Sequence, residues 1–177
     1  MKIFLIGYRC TGKTTAGQIL AHNNGFDFID LDQAIEQESK LNITQIIAKY
    51  GWDQFRRLES RALFNLKDNA NLVVATGGGI ITNDENLELI KNSGFCIWLY
   101  ADIKTILHRL KNDINTLSSR PSLLGKDVME ETKEFLIQRK PLYEKCAHVK
   151  INTKDKTPEQ IANIISRRIK HARQQHR

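Results

Sequence analysis

A short apolar run that stops at a glycine, with a second glycine and a lysine close behind it, constrains this chain more than any other feature. The stretch "IFLIGYRCTGKTT" places Gly7, Gly12, Lys13 and Thr14 in G-x-x-x-x-G-K-T spacing. The run before it has strand character, and "TTAGQILAHN" after it has helical spacing, which is the context that gives the pattern meaning. Glycines let the backbone curl so that successive N–H groups point at one anion, and the following helix presents its positive end to the same place. In such a loop Lys13 reaches the β- and γ-phosphates of a nucleotide, and the Thr14 hydroxyl binds Mg2+. Thr11 belongs to the loop, Thr15 is the next helix residue, and Cys10, with no partner base, reads as a small filler.

Downstream the hydrophobic period keeps switching. "FDFID" alternates, "LVVAT" and "FCIWLY" are short and continuously apolar, and "HVKIN" is a last short strand. Between them lie helical patterns: "ITQIIAKY", "WDQFRRLESRALFNLKDN", "NDENLELIKNS" with Asn83 or Asp84 as cap, and "IKTILHRLK". After a polar stretch come another helix and a final one with Pro158 in its first turn. Continuous apolar strands alternating with helices predict a five-stranded parallel sheet covered on both faces, a three-layer α/β/α sandwich with ligands at the carboxyl ends of the strands. A length of 177 residues fits one domain.

No apolar run approaches the roughly 20 residues of a membrane helix, and the N-terminus lacks the apolar core and cleavage site of a signal peptide. Three cysteines, far apart and without metal-type spacing, point to a reducing cytoplasm and to no structural zinc. The net charge of +7 invites a nucleic-acid reading, but much of the excess sits in "SRRIKHARQQHR", where a solvated helix end explains it. The expected partners are therefore small molecules, with no nucleic acid and no membrane.

A phosphate cradle does not name a substrate. The guanine-reading N-K-x-D string of switch GTPases is absent, since "NTKD" has its lysine one place late, and "LVVAT" runs into "GGG" instead of a metal-binding aspartate. "FIDLD" supplies the acids. With the strand end extended, Asp30 and Asp32 point to one side at the carboxyl edge, so that one holds Mg2+ and the other faces an acceptor hydroxyl. The competing reading makes Asp32 a helix N-cap.

The ordered strings "GYRCTGKT", "DLD", "FRRLE", "TGGG", "SRPSLL", "RKPLY" and "INTKDKTP" resemble the shikimate kinases, members of the nucleoside-monophosphate-kinase-like group of P-loop folds, over nearly the whole chain. The resemblance implies ATP-dependent phosphorylation of the 3-hydroxyl of shikimate, giving shikimate 3-phosphate and ADP on the route to chorismate and aromatic amino acids. It implies ATP contacts from Gly7, Cys10, Thr11, Gly12, Lys13, Thr14, Thr15, Arg109, Arg120 and Pro158, and Mg2+ on Thr14 and Asp30. Shikimate falls to Asp32, Arg56, Gly77, Gly78, Gly79 and Arg139, with Lys13, Asp32 and Arg120 catalytic. A small ring bearing one carboxylate and three hydroxyls suits two arginines for the anion and glycines where side chains would block the ring. Glu59, one turn after Arg56, is placed to hold its guanidinium.

The polar stretch 112–125 is expected to be a mobile lid over ATP, carrying Arg120 to the γ-phosphate. Residues 166–177 are expected to form a basic helix end in one shikimate-kinase-like domain, a cytoplasmic monomer. Two departures stand out: "RPSLL" has one residue more than the family's usual "RPLL", and Trp52 stands where many members carry Glu, either against the substrate ring or as packing.

Overall fold

The computed structural model describes residues 1–112 and 127–175. Five strands form its centre: β1 (Lys2–Ile6), β2 (Asp27–Asp30), β3 (Leu72–Ala75), β4 (Phe95–Tyr100) and β5 (Val149–Asn152). They pair in the order β2-β3-β1-β4-β5, all parallel. The described helices are α1 (Lys13–Asn24), α2 (Leu31–Ser39), α3 (Ile43–Phe64), α4 (Asp84–Ser93), α5 (Ile103–Asn112), α6 (Val128–Cys146) and α7 (Pro158–Gln175). The α/β sandwich expected from the sequence is the one observed.

Alternation along the inner strands shows why their sequences read as unbroken apolar runs. Phe4, Ile6, Val74, Cys96 and Trp98 face one core with residues of α3, α4 and α6, among them Leu63, Leu87, Ile90 and Tyr143. Ile3, Leu5, Val73, Ile97 and Leu99 face the other, against Leu20 of α1 and Ile161, Ile165 and Ile169 of α7. A strand buried on both sides has no polar face to show. Cys96 and Cys146, distant in sequence, meet in the first core with sulfurs 3.7 Å apart, and burial pushes the Cys96 thiol up.

Several expected boundaries move. The two helical patterns on either side of Gly51 hold: its backbone is not helical (φ 80°, ψ 170°), so the α3 span divides there into helical stretches 43–50 and 52–64. The span ends at Phe64, short of the expected Asn69, and the chain then turns so that the Leu66 and Lys67 carbonyls accept the buried ammonium of Lys2. Asn83, not Asp84, caps α4. β2 does not stay extended through Asp32: α2 begins at Leu31, with Asp30 as its N-cap, Oδ1 accepting from the N–H groups of Asp32 and Gln33. The capping role considered for Asp32 thus belongs to Asp30. The solvated tail starts later than expected, because Ile169 is buried in the second core while Lys170 and His171 are exposed.

Candidate active site

β1 sits mid-sheet and delivers the loop Gly7–Gly12 to the carboxyl edge, where α1 begins. The loop needs its glycines. Gly7 has φ 141° and a Cβ there would strike the Leu99 carbonyl, while Gly12 has φ 86°. The Thr11 hydroxyl, fully buried, donates to the Tyr8 carbonyl at 2.8 Å and so closes the loop from within. Lys13 folds back across it, its Nζ 2.9 Å from the Gly7 oxygen and 2.8 Å from that of Tyr8. Thr14 donates its hydroxyl to Asp30 Oδ2 at 2.6 Å. Since the other oxygen of Asp30 is fixed by the start of α2, two hard oxygen donors stand side by side next to the lysine. That donor set fits Mg2+, which takes one or two protein oxygens and fills its remaining positions with phosphate and water. Among the described residues no group of three or more His, Cys, Asp or Glu could hold a metal by itself.

On one flank of the loop lies a pocket of about 490 Å3, partly open to solvent, that brings together Asp32, Arg56, Gly77, Gly78, Gly79 and Arg139. Arg56 projects from α3 and pairs with Glu59 one turn on, as its spacing predicts. Its guanidinium carbon is 5.5 Å from the centres of the Trp52 and Phe55 rings. Trp52 both packs edge-on against Phe55, 5.9 Å away, and lines the pocket, so the two readings of that residue coexist. Arg57 is exposed.

Arg139, from α6, is only 7% exposed. It donates to the Gly78 carbonyl at 3.2 Å and lies 4.2 Å from the Phe135 ring centre. Among the described residues no carboxylate is within ion-pair distance of it. Burial lowers its pKa, and the neighbouring Arg56 charge lowers it further. Two arginines that repel across a pocket, one buried with no carboxylate partner among the described residues, make a strong site for a small anion.

The glycine run has a physical reason beyond leaving room for a ring. A Cβ on Gly79 would stand 2.5 Å from Arg56 Nη2 and 2.7 Å from its Cζ. One on Gly77 would collide with Glu59 Oε1 and come within 3.0 Å of Asp32 Oδ1. The space is filled by the side chains that build the pocket.

On the other flank a more open cleft of about 1020 Å3 gathers Cys10, Gly12, Thr15, Arg109 and Pro158. Arg109 donates to the Cys10 carbonyl at 3.2 Å, to the Thr153 hydroxyl at 3.0 Å and to the Thr153 carbonyl at 2.6 Å. It therefore ties the loop after β1 to the connection after β5, one on each side of this cleft. Arg120 and almost all of the expected lid lie outside the described residues.

Sequence reasoning gave no role to Arg9, Glu131 or Tyr8, placed Thr153 only as part of the "NT" before Pro158 in the loop beside the adenine, and named Tyr143 only as a letter of a motif. Tyr143, fully buried in α6, donates its hydroxyl to the Gly78 carbonyl at 2.6 Å and stacks on Trp98, ring centres 5.5 Å apart. Burial pushes its phenol well above the ordinary range, so it remains a donor. Its place in "RKPLY", four residues after an arginine on one helix, was the available signal.

Comparison with known proteins agrees with this geometry. A family model described as shikimate kinase matches residues 9–170. A relative named shikimate kinase 2, from Photorhabdus laumondii, is 40% identical over 163 residues, covering 92% of this chain and 92% of that one. The solved shikimate kinase from Acinetobacter baumannii in complex with shikimate superposes with a TM-score of 0.90 at 34% identity, over 97% of this chain and 93% of that one. A gluconokinase from Sinorhizobium meliloti, at 12% identity and a TM-score of 0.58 over 99% and 97% of the two chains, shares the fold alone. The chain belongs to the shikimate kinase family.

Proposed function

We propose that this chain transfers the γ-phosphoryl group of ATP to the 3-hydroxyl of shikimate, releasing ADP and shikimate 3-phosphate, in the pathway to chorismate and the aromatic amino acids. The observation that carries the reading is the buried Arg139, without a carboxylate partner among the described residues and facing Arg56 beside a phosphate loop. A relative of 34% identity solved with shikimate supports it. The two arginines take the carboxylate of the acceptor, and the Gly77–Gly79 backbone and Asp32 face its ring.

The chemistry asked of the protein is positioning and charge neutralisation. Lys13 and the loop N–H groups hold the nucleotide phosphates, with Gly7, Cys10, Thr11, Gly12, Thr14 and Thr15 lining their side. Arg109 and Pro158 flank the adenine. Asp32 orients the acceptor hydroxyl and takes its proton. Thr14 and Asp30 hold Mg2+, which when bound neutralises charge on the phosphate oxygens. Arg120 belongs to a lid over approximately 112–125, within one domain spanning 1–177, acting as a monomer in the cytoplasm.

The test is ADP release by the purified protein with ATP and Mg2+, comparing shikimate, gluconate, AMP and no acceptor. Shikimate-dependent ADP with a matching phosphorylated product is expected. ADP formed with another acceptor keeps the phosphate loop and overturns the roles of Arg56 and Arg139. ATP binding without turnover, with salt-sensitive nucleic-acid binding, overturns the enzymatic reading.

A further inference from the structure

The acceptor pocket contains a third arginine that neither the loop motif nor the family resemblance assigns. Arg9 is a residue of the phosphate loop, yet it lines the pocket with Asp32, Arg56 and Arg139. A Cβ on Gly78 would stand 3.4 Å from the Gly7 oxygen and 3.6 Å from both Tyr8 Cα and the Arg9 backbone nitrogen, so the loop passes close to the glycine run. Arg9 Nη2 donates to Glu131 Oε1 at 3.2 Å, with the Glu131 side chain 1% exposed and that of Arg9 14% exposed. Its guanidinium carbon lies 5.5 Å from the Tyr8 ring centre. Its Nε is buried with no hydrogen-bond partner among the described residues.

These facts separate Arg9 from Arg139. Arg139 has no carboxylate partner among the described residues and attracts a standing anion. The charge of Arg9, like that of Arg56, is balanced by a buried glutamate. What it offers is geometry: a guanidinium has five N–H donors, Glu131 accepts from one nitrogen, and the side chain belongs to a phosphate-loop residue that lines the acceptor pocket. A buried donor without a partner is costly unless something completes it. The group that crosses from loop to pocket is the one being transferred. Donors fixed in advance where charge arrives stabilise the transition state without reorganisation.

We propose that Arg9, oriented by Glu131, is a ligand of the phosphoryl group as it passes to the acceptor, and of the phosphate on the finished product. The inference rests on the phosphoryl-transfer reading and deepens it. In that step a bond forms between the acceptor oxygen and the γ-phosphorus while the bond from phosphorus to the β,γ-bridging oxygen breaks. The electron pair of the broken bond stays on ADP, and the hydroxyl proton passes to the Asp32 carboxylate and on to solvent. Arg9 keeps its own proton throughout and donates N–H bonds to the phosphoryl oxygens. Glu131 is a positioning residue.

The experiment compares binding of shikimate and of shikimate 3-phosphate by titration calorimetry, with steady-state kinetics, in wild type, Arg9→Met, Arg9→Lys and Glu131→Gln. Arg9→Met is expected to weaken product binding and lower kcat by about tenfold or more, while the shikimate Kd stays within about twofold. Arg9→Lys should recover part of both losses, and Glu131→Gln should shift the product-to-substrate ratio in the same direction by less. Equal weakening of both ligands by Arg9→Met, or product binding unchanged, overturns the inference. If Arg9→Met does not fold, the same ratio measured on Arg9→Lys decides. Wild type that binds neither ligand overturns the functional reading itself, which is distinguishable from wild type that binds both.

Discussion

The two sides of the cleft differ in how much of their geometry the protein fixes with its own atoms. On the acceptor side Arg56 is held by Glu59, and the Gly78 carbonyl by Arg139 and Tyr143 together. On the phosphate side Lys13 donates to the carbonyls of its own loop and Thr14 to Asp30. On the proposed function those are bonds that phosphate oxygens and a cation would replace. One side is built before any ligand arrives, and the other exchanges internal bonds for ligand bonds. Damage to the first should therefore appear as lost acceptor affinity, and damage to the second as lost turnover.

The largest test of that contrast is Lys13→Met. Turnover should fall by about 10³-fold or more while shikimate binding, read by calorimetry, changes less than about threefold. A large loss of shikimate binding would break the contrast, because it would make the cradle part of the acceptor pocket. Asp32→Asn should keep ATP binding and lose roughly 10²-fold in kcat. Near wild-type turnover would remove Asp32 from the mechanism.

Gly79→Ala acts from the pre-built side. With its new Cβ only 2.5 Å from a guanidinium nitrogen, Arg56 must move. The KM for shikimate should rise by roughly 50-fold, consistent with an overpacking cost of about 1–3 kcal/mol, with the KM for ATP unchanged. A rise in both would mean the two sides are not separable. Tyr143→Phe removes one hydrogen bond to Gly78, for about a fivefold rise in the shikimate KM at an order of 1 kcal/mol. It also carries a pH signature. Burial raises the folded phenol above its ordinary 10.0, so wild-type stability is intact below pH 10 and falls as pH climbs beyond it. Chemical denaturation across that range should show a shallower alkaline decline in Tyr143→Phe.

The smallest effects lie away from the cleft. A chain ending at Lys170 should melt close to the full protein. One ending at Arg168 loses Ile169 from the core and should be less stable by about 1.5–3 kcal/mol.

Much of this was legible in the sequence because it is written locally. Strands buried on both faces leave unbroken apolar runs, and the phosphate loop, Arg56 with Glu59, and the glycine run each sit within a few residues. What was not legible is set by distance along the chain. Arg9 meets Glu131 across 122 residues, Tyr143 meets Gly78 across 65, and Arg109 meets Thr153 across 44. No spacing rule links such partners, since only the folded sheet brings them to one edge. The backbone at the end of β2 was not legible for a different reason: α2 begins already at Leu31, so the cap falls to Asp30, which also accepts from Thr14.

The collision between a Cβ at position 79 and the Arg56 guanidinium also orders the mutational routes open to this chain. A descendant that loses Arg56 first removes the atoms nearest to a Cβ at position 79. A descendant that fills position 79 first meets a clash before any benefit. Glycine and arginine are thus inherited as a linked pair, and a lineage drifting toward another acceptor should lose its hold on the carboxylate before it reshapes the floor of the pocket.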